Sequence, residues 1–169
     1  MDAMADRLPL SAEQADFTEF FRARYEPFLR AMYLVTGDRY EAEELAQDTF
    51  VKACERWDRV RRMDNPIGYL YRTAVNAHRS TLRRARGSAR RALSLQPSDP
   101  ISESDDRDRI RRALATLPAN QRDAVVLVEW LGLSDIDAGH ALGISPGAVR
   151  VRISRARTSL RPLIERSRA

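Results

Sequence analysis

Arginine is the side chain best able to do chemistry in this sequence, and it is unevenly placed. Seven arginines stand from Arg72 to Arg91 with no acid among them. Seven more stand from Ser145 to Ala169 against one acid, Glu165. Between Asp38 and Asp48 the sign reverses: Asp38, Glu41, Glu43, Glu44 and Asp48 face only Arg39. Clustered guanidinium groups neutralise phosphates and read guanine edges. Two binding places for a polyanion are therefore expected, with a separate partner at the acidic segment.

Other chemistry has little to work with. His78 and His140 lie on separate segments with no acid in motif spacing, and Cys54 is the only cysteine. That excludes an internal disulfide and a multi-thiolate zinc site. There is no glycine-rich phosphate loop and no nucleophile–base pair, so no enzyme, cofactor or metal site is expected. The chain has 169 residues, 43% hydrophobic and 31% charged, with a net charge of +5 and a pI near 10.0. This suits one ordinary or two small folded domains. Of 29 basic residues 28 are Arg, with Lys52 alone. A compositional bias explains that total but not its clustering. The longest apolar run, Ala124 to Val128, ends at Glu129, far short of the roughly 20 residues of a membrane span. Met1 to Ala15 carries Asp2, Asp6 and Glu13 and does not read as a secretory signal. A cytoplasmic, non-inserting protein is the expectation.

The elements that must carry these charges are helices. Phe17, Phe20, Phe21, Tyr25, Phe28, Leu29 and Met32 recur every three or four residues, with Gly37 as a stop. Asp38 to Glu41 reads as a capping box for a second helix. Its inner face is Ala42, Leu45, Ala46, Thr49, Phe50, Ala53 and Trp57. Asn65-Pro66 starts a third, with Ile67, Leu70, Tyr71, Ala74, Val75 and His78 inward. These form a unit over residues 16–86, after a tail at 1–15. Residues 87–104, rich in Ser and with Pro97 and Pro100, read as a linker with room for a helical turn at Arg90 to Leu95. A second unit, 105–169, follows. Ile110, Ala113, Leu114 and Leu117 mark one helix, stopped at Pro118. Ala124, Val125, Val128 and Leu131 mark the next, ended by Gly132. The fold class expected is all-α, two small helical domains joined by a flexible linker.

The strongest local pattern is Asp135 to Arg155. Ser134 to Asp137 can cap a short helix, and Gly139 permits close approach of a second one. Gly143 suits the tight turn, Ser145-Pro146 opens the next helix, and Leu142, Ile144, Val149 and Ile153 lock the pair. Gly147, Arg150, Val151, Ser154 and Arg155 stay outward, with Arg152 and Arg157 flanking, and Leu160 and Leu163 or Ile164 turn inward. Such a face enters a major groove; the alternative is a solvated arginine surface.

The segment Leu117 to Arg157, with Gln121-Arg122, Leu142-Gly-Ile-Ser-Pro-Gly147, Arg150, Arg152 and Arg155, resembles domain four of bacterial sigma factors. Tyr33 to Asp38, Ala42 to Phe50 and Asn65 to Asn76 resemble domain two. Two such domains in this order are similar to an extracytoplasmic-function (group IV) sigma factor of the sigma-70 superfamily, over about residues 16–166. Tyr69, Ser80, Asp135 and Ala138 depart from the family's usual residues.

The resemblance implies a protein that joins core RNA polymerase and directs initiation at promoters with minus-ten and minus-35 elements. Glu41, Glu44, Gln47 and Asp48 would meet the clamp helices of the largest subunit, and domain four the flap of the second-largest. The minus-ten element would fall to Arg59, Arg61, Arg62, Asn65, Arg72, Asn76, Arg79 and Arg83. The minus-35 element would fall to Ser145, Pro146, Gly147, Arg150, Arg152, Ser154, Arg155 and Arg157. Asn76 either pairs with a base edge or bonds another helix in the core. Tyr69 and Tyr71 either stack on bases or, as aromatics at this spacing more often do, fill the core, where Trp57 belongs. An anti-sigma protein is a possible further partner. The rival reading is a stand-alone operator-binding regulator whose first unit senses or oligomerises. The 18-residue linker reaches at most about 60 Å, enough to bridge two elements on one duplex only when well extended.

Overall fold

The computed structural model describes residues 12–88 and 105–166. The first unit contains α1 (Ala12–Thr36), α2 (Arg39–Glu55), α3 (Trp57–Val60) and α4 (Pro66–Ser88). The second contains α5 (Asp105–Ala115), α6 (Ala119–Val125), a π-helical turn (Val126–Trp130), α7 (Asp135–Leu142) and α8 (Pro146–Arg166). No strand occurs among the described residues. Helix α1 starts ahead of the expected boundary at 16, and α3 is an added turn that takes Trp57 from the end of the expected second helix. Helix α4 runs through Gly87 and Ser88, so the segment read as linker begins helically. The remainder of that segment, with the turn expected at Arg90 to Leu95, lies outside the described residues.

The starts and stops follow local chemistry. The Asp38 carboxylate accepts from the Glu41 N–H at 2.9 Å and opens α2. The reciprocal half of the capping box does not form: the Asp38 N–H donates to the Thr36 hydroxyl instead. Asn65 Oδ1 accepts from the Gly68 N–H at 2.9 Å and opens α4. Proline at the first position of α4 forfeits no intrahelical hydrogen bond.

In the first unit Phe28, Met32, Leu70 and Tyr71 are fully buried. Phe50 sits at the centre of an aromatic cluster with Phe20, Phe21, Tyr25 and Phe28, at centroid distances of 5.4–6.0 Å. Trp57 is buried, as expected, against Phe17 and Phe20.

The π turn changes the second unit from what periodicity suggests. The Leu131 N–H reaches back five residues to the Val126 carbonyl at 3.0 Å. One extra residue in a turn rotates the following side chains by about 100°. Ala124, Val126 and Leu127 are fully buried, while Val125, Val128 and Leu131 are only half-buried. Ile110, read as core, is exposed, and so is Leu163, one of the two alternatives with Ile164 for the inner side of the last helix; the side chain of Ile164 lies outside the described residues.

The two units pack together. Helix α1 lies against α5 and the π turn, and α4 against α7. Arg122 on α6 donates to the Leu114 and Ala115 carbonyls ending α5, to the Leu117 carbonyl just beyond it, and to the Val35 carbonyl of α1 at 3.1 Å. Cationic donors at helix C-termini satisfy carbonyls that have no intrahelical partner. Trp130 Nε1 donates to the carbonyl of Pro27, inside α1, at 3.3 Å. The Arg111 guanidinium stands 5.9 Å from the centroid of the Tyr33 ring.

Candidate nucleic-acid and partner interfaces

Helix α2 turns Ala42, Ala46, Thr49, Phe50 and Ala53 inward. That leaves Glu44, Gln47 and Asp48 exposed together on its outer face. Glu41 does not share their freedom: its Oε1 lies 2.6 Å from Nδ1 of His78, a buried residue of α4. Two residues missed in the sequence flank the acidic face. Tyr40 is 80% exposed and Val51 57% exposed. Residues 40, 44, 47, 48 and 51 make one helical stripe, so the signal was apolar residues in register with the acids.

Arg59 lies on α3, and Arg61 and Arg62 on the turn after it, all exposed. Arg61 is held by Asp58 at 3.2 Å and Asp16 at 3.6 Å. Asn65 spends its carbonyl oxygen on the α4 cap. Arg72, Asn76, Arg79 and Arg83 recur at helical spacing along the exposed side of α4. Asn76 is thus not a core hydrogen-bonding residue. Tyr71 is core: it is fully buried, and its hydroxyl donates to Asp123 Oδ1 at 3.1 Å. Tyr69 is half-buried against the core.

Asp123 of α6, which sequence reasoning passed over, joins the two units. It is 2% exposed and also takes a hydrogen bond from Arg79 Nη2. Burial pushes its carboxyl above the usual range, against the pull of Arg79, the Tyr71 hydroxyl, Arg122 and Arg152. Burial, then the charge of Asp123, pushes the Tyr71 hydroxyl well above the ordinary tyrosine value, so it stays a donor. The only hint in the sequence was one carboxylate ahead of an apolar run. Beside this node a cleft of about 210 Å³ separates Tyr71, Arg72, Asn76 and Arg79 from Ala141 to Gly143. One arginine of the α4 face is therefore already engaged by the second unit.

The helix-turn-helix forms as its residues dictate. Ser134 Oγ accepts from the Asp137 N–H and opens α7. A Cβ on Gly139 would lie 2.7 Å from the Ile144 carbonyl oxygen, so only glycine fits that approach. Gly143 ends α7 at φ +68°, the left-handed region glycine tolerates. Ser145 Oγ accepts from the Ala148 N–H and opens α8, followed by Pro146 and a half-buried Gly147. Val149, Ile153 and Ala156 anchor α8 inward. Arg150, Ser154, Arg155 and Arg157 are exposed, and Arg152 is half-buried on the flank toward Asp123. Arg150 Nη1 lies 3.2 Å from Asp135 Oδ2, and Arg157 pairs with Glu129. Among the described residues no cluster of His, Cys, Asp and Glu could hold a metal, and no helix is long and apolar enough to cross a membrane.

Two family models match the chain: "Sigma-70 region 2" over residues 20–88 and "Sigma-70, region 4" over residues 107–160. An RNA polymerase sigma-E factor of Streptomyces avermitilis is 30% identical over 157 residues, covering 90% of this chain and 87% of that protein. The ECF RNA polymerase sigma factor EcfG of Rhodopseudomonas palustris is 31% identical over 146 residues, covering 82% and 80%. Among solved structures, the sigma factor RpoE from Bartonella quintana, in complex with the anti-sigma factor NepR, superposes with a TM-score of 0.73 at 27% identity, covering 89% of this chain and 97% of that one. With both helical units matched in order, the chain belongs to the extracytoplasmic-function RNA polymerase sigma factors, initiation factors that direct promoter-specific transcription.

Proposed function

We propose a division of this activity among three surfaces of the chain. The stripe of Glu44, Gln47 and Asp48 on α2 docks the arginine-bearing clamp helices of the polymerase largest subunit, with Tyr40 and Val51 as apolar anchors. Glu41 stays tied to His78 and orients α2 rather than touching the partner. Arg59, Arg61, Arg62 and the α4 face of Arg72, Asn76, Arg79 and Arg83 hold the minus-ten element, while Asn65 caps α4 beneath them. Helix α8, opened by Ser145, Pro146 and Gly147, reads the minus-35 element through Arg150, Arg152, Ser154, Arg155 and Arg157. The second unit docks the flap of the second-largest subunit. These units are domains two and four, over 16–86 and 105–169, and the protein works in the cytoplasm beside the polymerase.

The observation that carries this reading is the placement of the arginines. Both basic faces, on α4 and on α8, lie on solvent-exposed sides of helices whose other sides are core. The Arg79–Asp123 pair requires the units to part before α4 can give all four residues to DNA. An anti-sigma protein is a partner of the same surfaces, as the complex of the Bartonella quintana relative suggests. Run-off transcription with purified core polymerase over the source genome tests the reading. Discrete start sites that vanish without this chain are expected; sequence-independent initiation would overturn it.

A further inference from the structure

On α8 the arginines are not equivalent, and the difference comes from helix geometry. Ser154, Arg157 and Arg161 stand four, seven and eleven residues after Arg150, so the four form one stripe about 60° wide. The core residues Val149, Ile153 and Ala156 centre on the inward side. The stripe therefore runs along one edge of the exposed face, facing α7 and the π turn. Across from it stand two carboxylates, Asp135 and Glu129, and a cavity of about 430 Å³ lies between the two walls. Arg150 is held by Asp135, the first residue of α7, and Arg157 by Glu129 in the π turn. Arg155 points away from that wall, about 140° round the helix from Arg150.

Acids on a surface that meets DNA oppose the phosphates. Here each is placed where it engages a guanidinium. A guanidinium carries five N–H donors in a fixed fork. Asp135 takes Nη1 of Arg150, which leaves further donors for a base edge. A long side chain that is 65% exposed would otherwise sample many rotamers. We infer that Asp135 is a positioning residue for minus-35 recognition: it holds Arg150 in the orientation that distinguishes one base from the others, exchanging overall affinity for selectivity. Glu129 holds Arg157 two turns further along, where the same device steadies a contact made farther from the start of the recognition helix. This rests on the reading that Arg150 meets a base.

The test uses full-length protein assembled with core polymerase and a duplex library randomised over the upstream element. Captured sequences give, at each position, the ratio of the preferred base to the rest. Arg150→Ala should flatten one position. Asp135→Ala should flatten that same position, lowering its ratio about fivefold or more, the lower end of what a bidentate base contact carries, while total capture stays level or rises because a negative charge is gone. Asp135→Glu, which keeps the acceptor, should restore most of the ratio. If Arg150→Ala flattens a position that Asp135→Ala leaves sharp, the positioning role is overturned and the base contact stands. The role is equally overturned if Asp135→Ala raises or lowers capture of every sequence alike with all ratios kept, as a solvated charge or a loosened α7 would do. If Arg150→Ala changes no position, the base contact itself fails and the inference with it. Thermal melting of each variant confirms that the second unit is folded.

Discussion

Gly139→Ala sets two effects of known size against each other. Alanine in a helix interior is favoured over glycine by about 1 kcal/mol, so on propensity alone the variant gains stability. The tertiary contact opposes this. The new Cβ would lie 2.7 Å from the Ile144 carbonyl oxygen and 3.5 Å from Pro146 N. Those are backbone atoms of the turn and cannot rotate away. The turn must move by about half an ångström or more, at a typical overpacking cost of about 1–3 kcal/mol. The same shift stretches the Ile144 N–H bond to the Gly139 carbonyl, now 3.0 Å, a further loss of up to about 1 kcal/mol. The contact wins, and a net destabilisation of about 1–2 kcal/mol follows. For a chain of this size that lowers the melting temperature by about 2–8 °C. Urea and thermal unfolding check the value. Two controls isolate the cause. Gly143→Ala meets nothing within 4 Å but sits at φ +68°, so it should lose about 1 kcal/mol from backbone strain alone. Gly147→Ala has its nearest neighbour 3.8 Å away and should be no less stable than the parent. The shifted turn should also weaken capture of the upstream element. A Gly139→Ala protein as stable as the parent, with wild-type capture, would show that the close approach does not hold the two helices.

Asp48→Arg reverses charge at an exposed position of α2, so it should abolish capture by core polymerase with the melting temperature within a few degrees of the parent; undiminished pull-down would remove α2 from the docking surface. Tyr71→Phe leaves buried Asp123 short of a donor and should cost about 1–2 kcal/mol at neutral pH. The folded Tyr71 hydroxyl holds its proton well above the ordinary value of 10.0, so its share of stability is full below that value and lost as pH rises beyond it. The deficit of the Phe variant should therefore shrink in urea titrations near pH 11, and a constant deficit would refute the assignment. Deleting about ten residues between 89 and 104 should silence a promoter with normally spaced elements while the melting curve is kept; full activity at that spacing would mean that the elements are not reached through an extended linker.

Helix starts, stops and caps were legible in the sequence because each depends on neighbours within four residues: Asp38, Asn65, Ser134, Ser145 and Gly143 act where local chemistry puts them. The basic and acidic faces were legible for the same reason, since helical spacing assigns a residue to a side once one apolar side is known. What only the tertiary structure decided involves partners far apart in the chain or a break in periodicity. The inward side of the apolar run from Ala124 to Val128 was set by packing of α6 on α8 and of the π turn on α1, because a run apolar on every side leaves periodicity nothing to choose between. Glu41 lost its role in the capping box to His78, 37 residues away. Above all, the contact between the two units was invisible, because Asp123 becomes a joint only when folding brings Tyr71 and Arg79 to it from 52 and 44 residues away. Burying one carboxylate demands donors wherever they lie in the chain, and no spacing rule in the sequence records that demand.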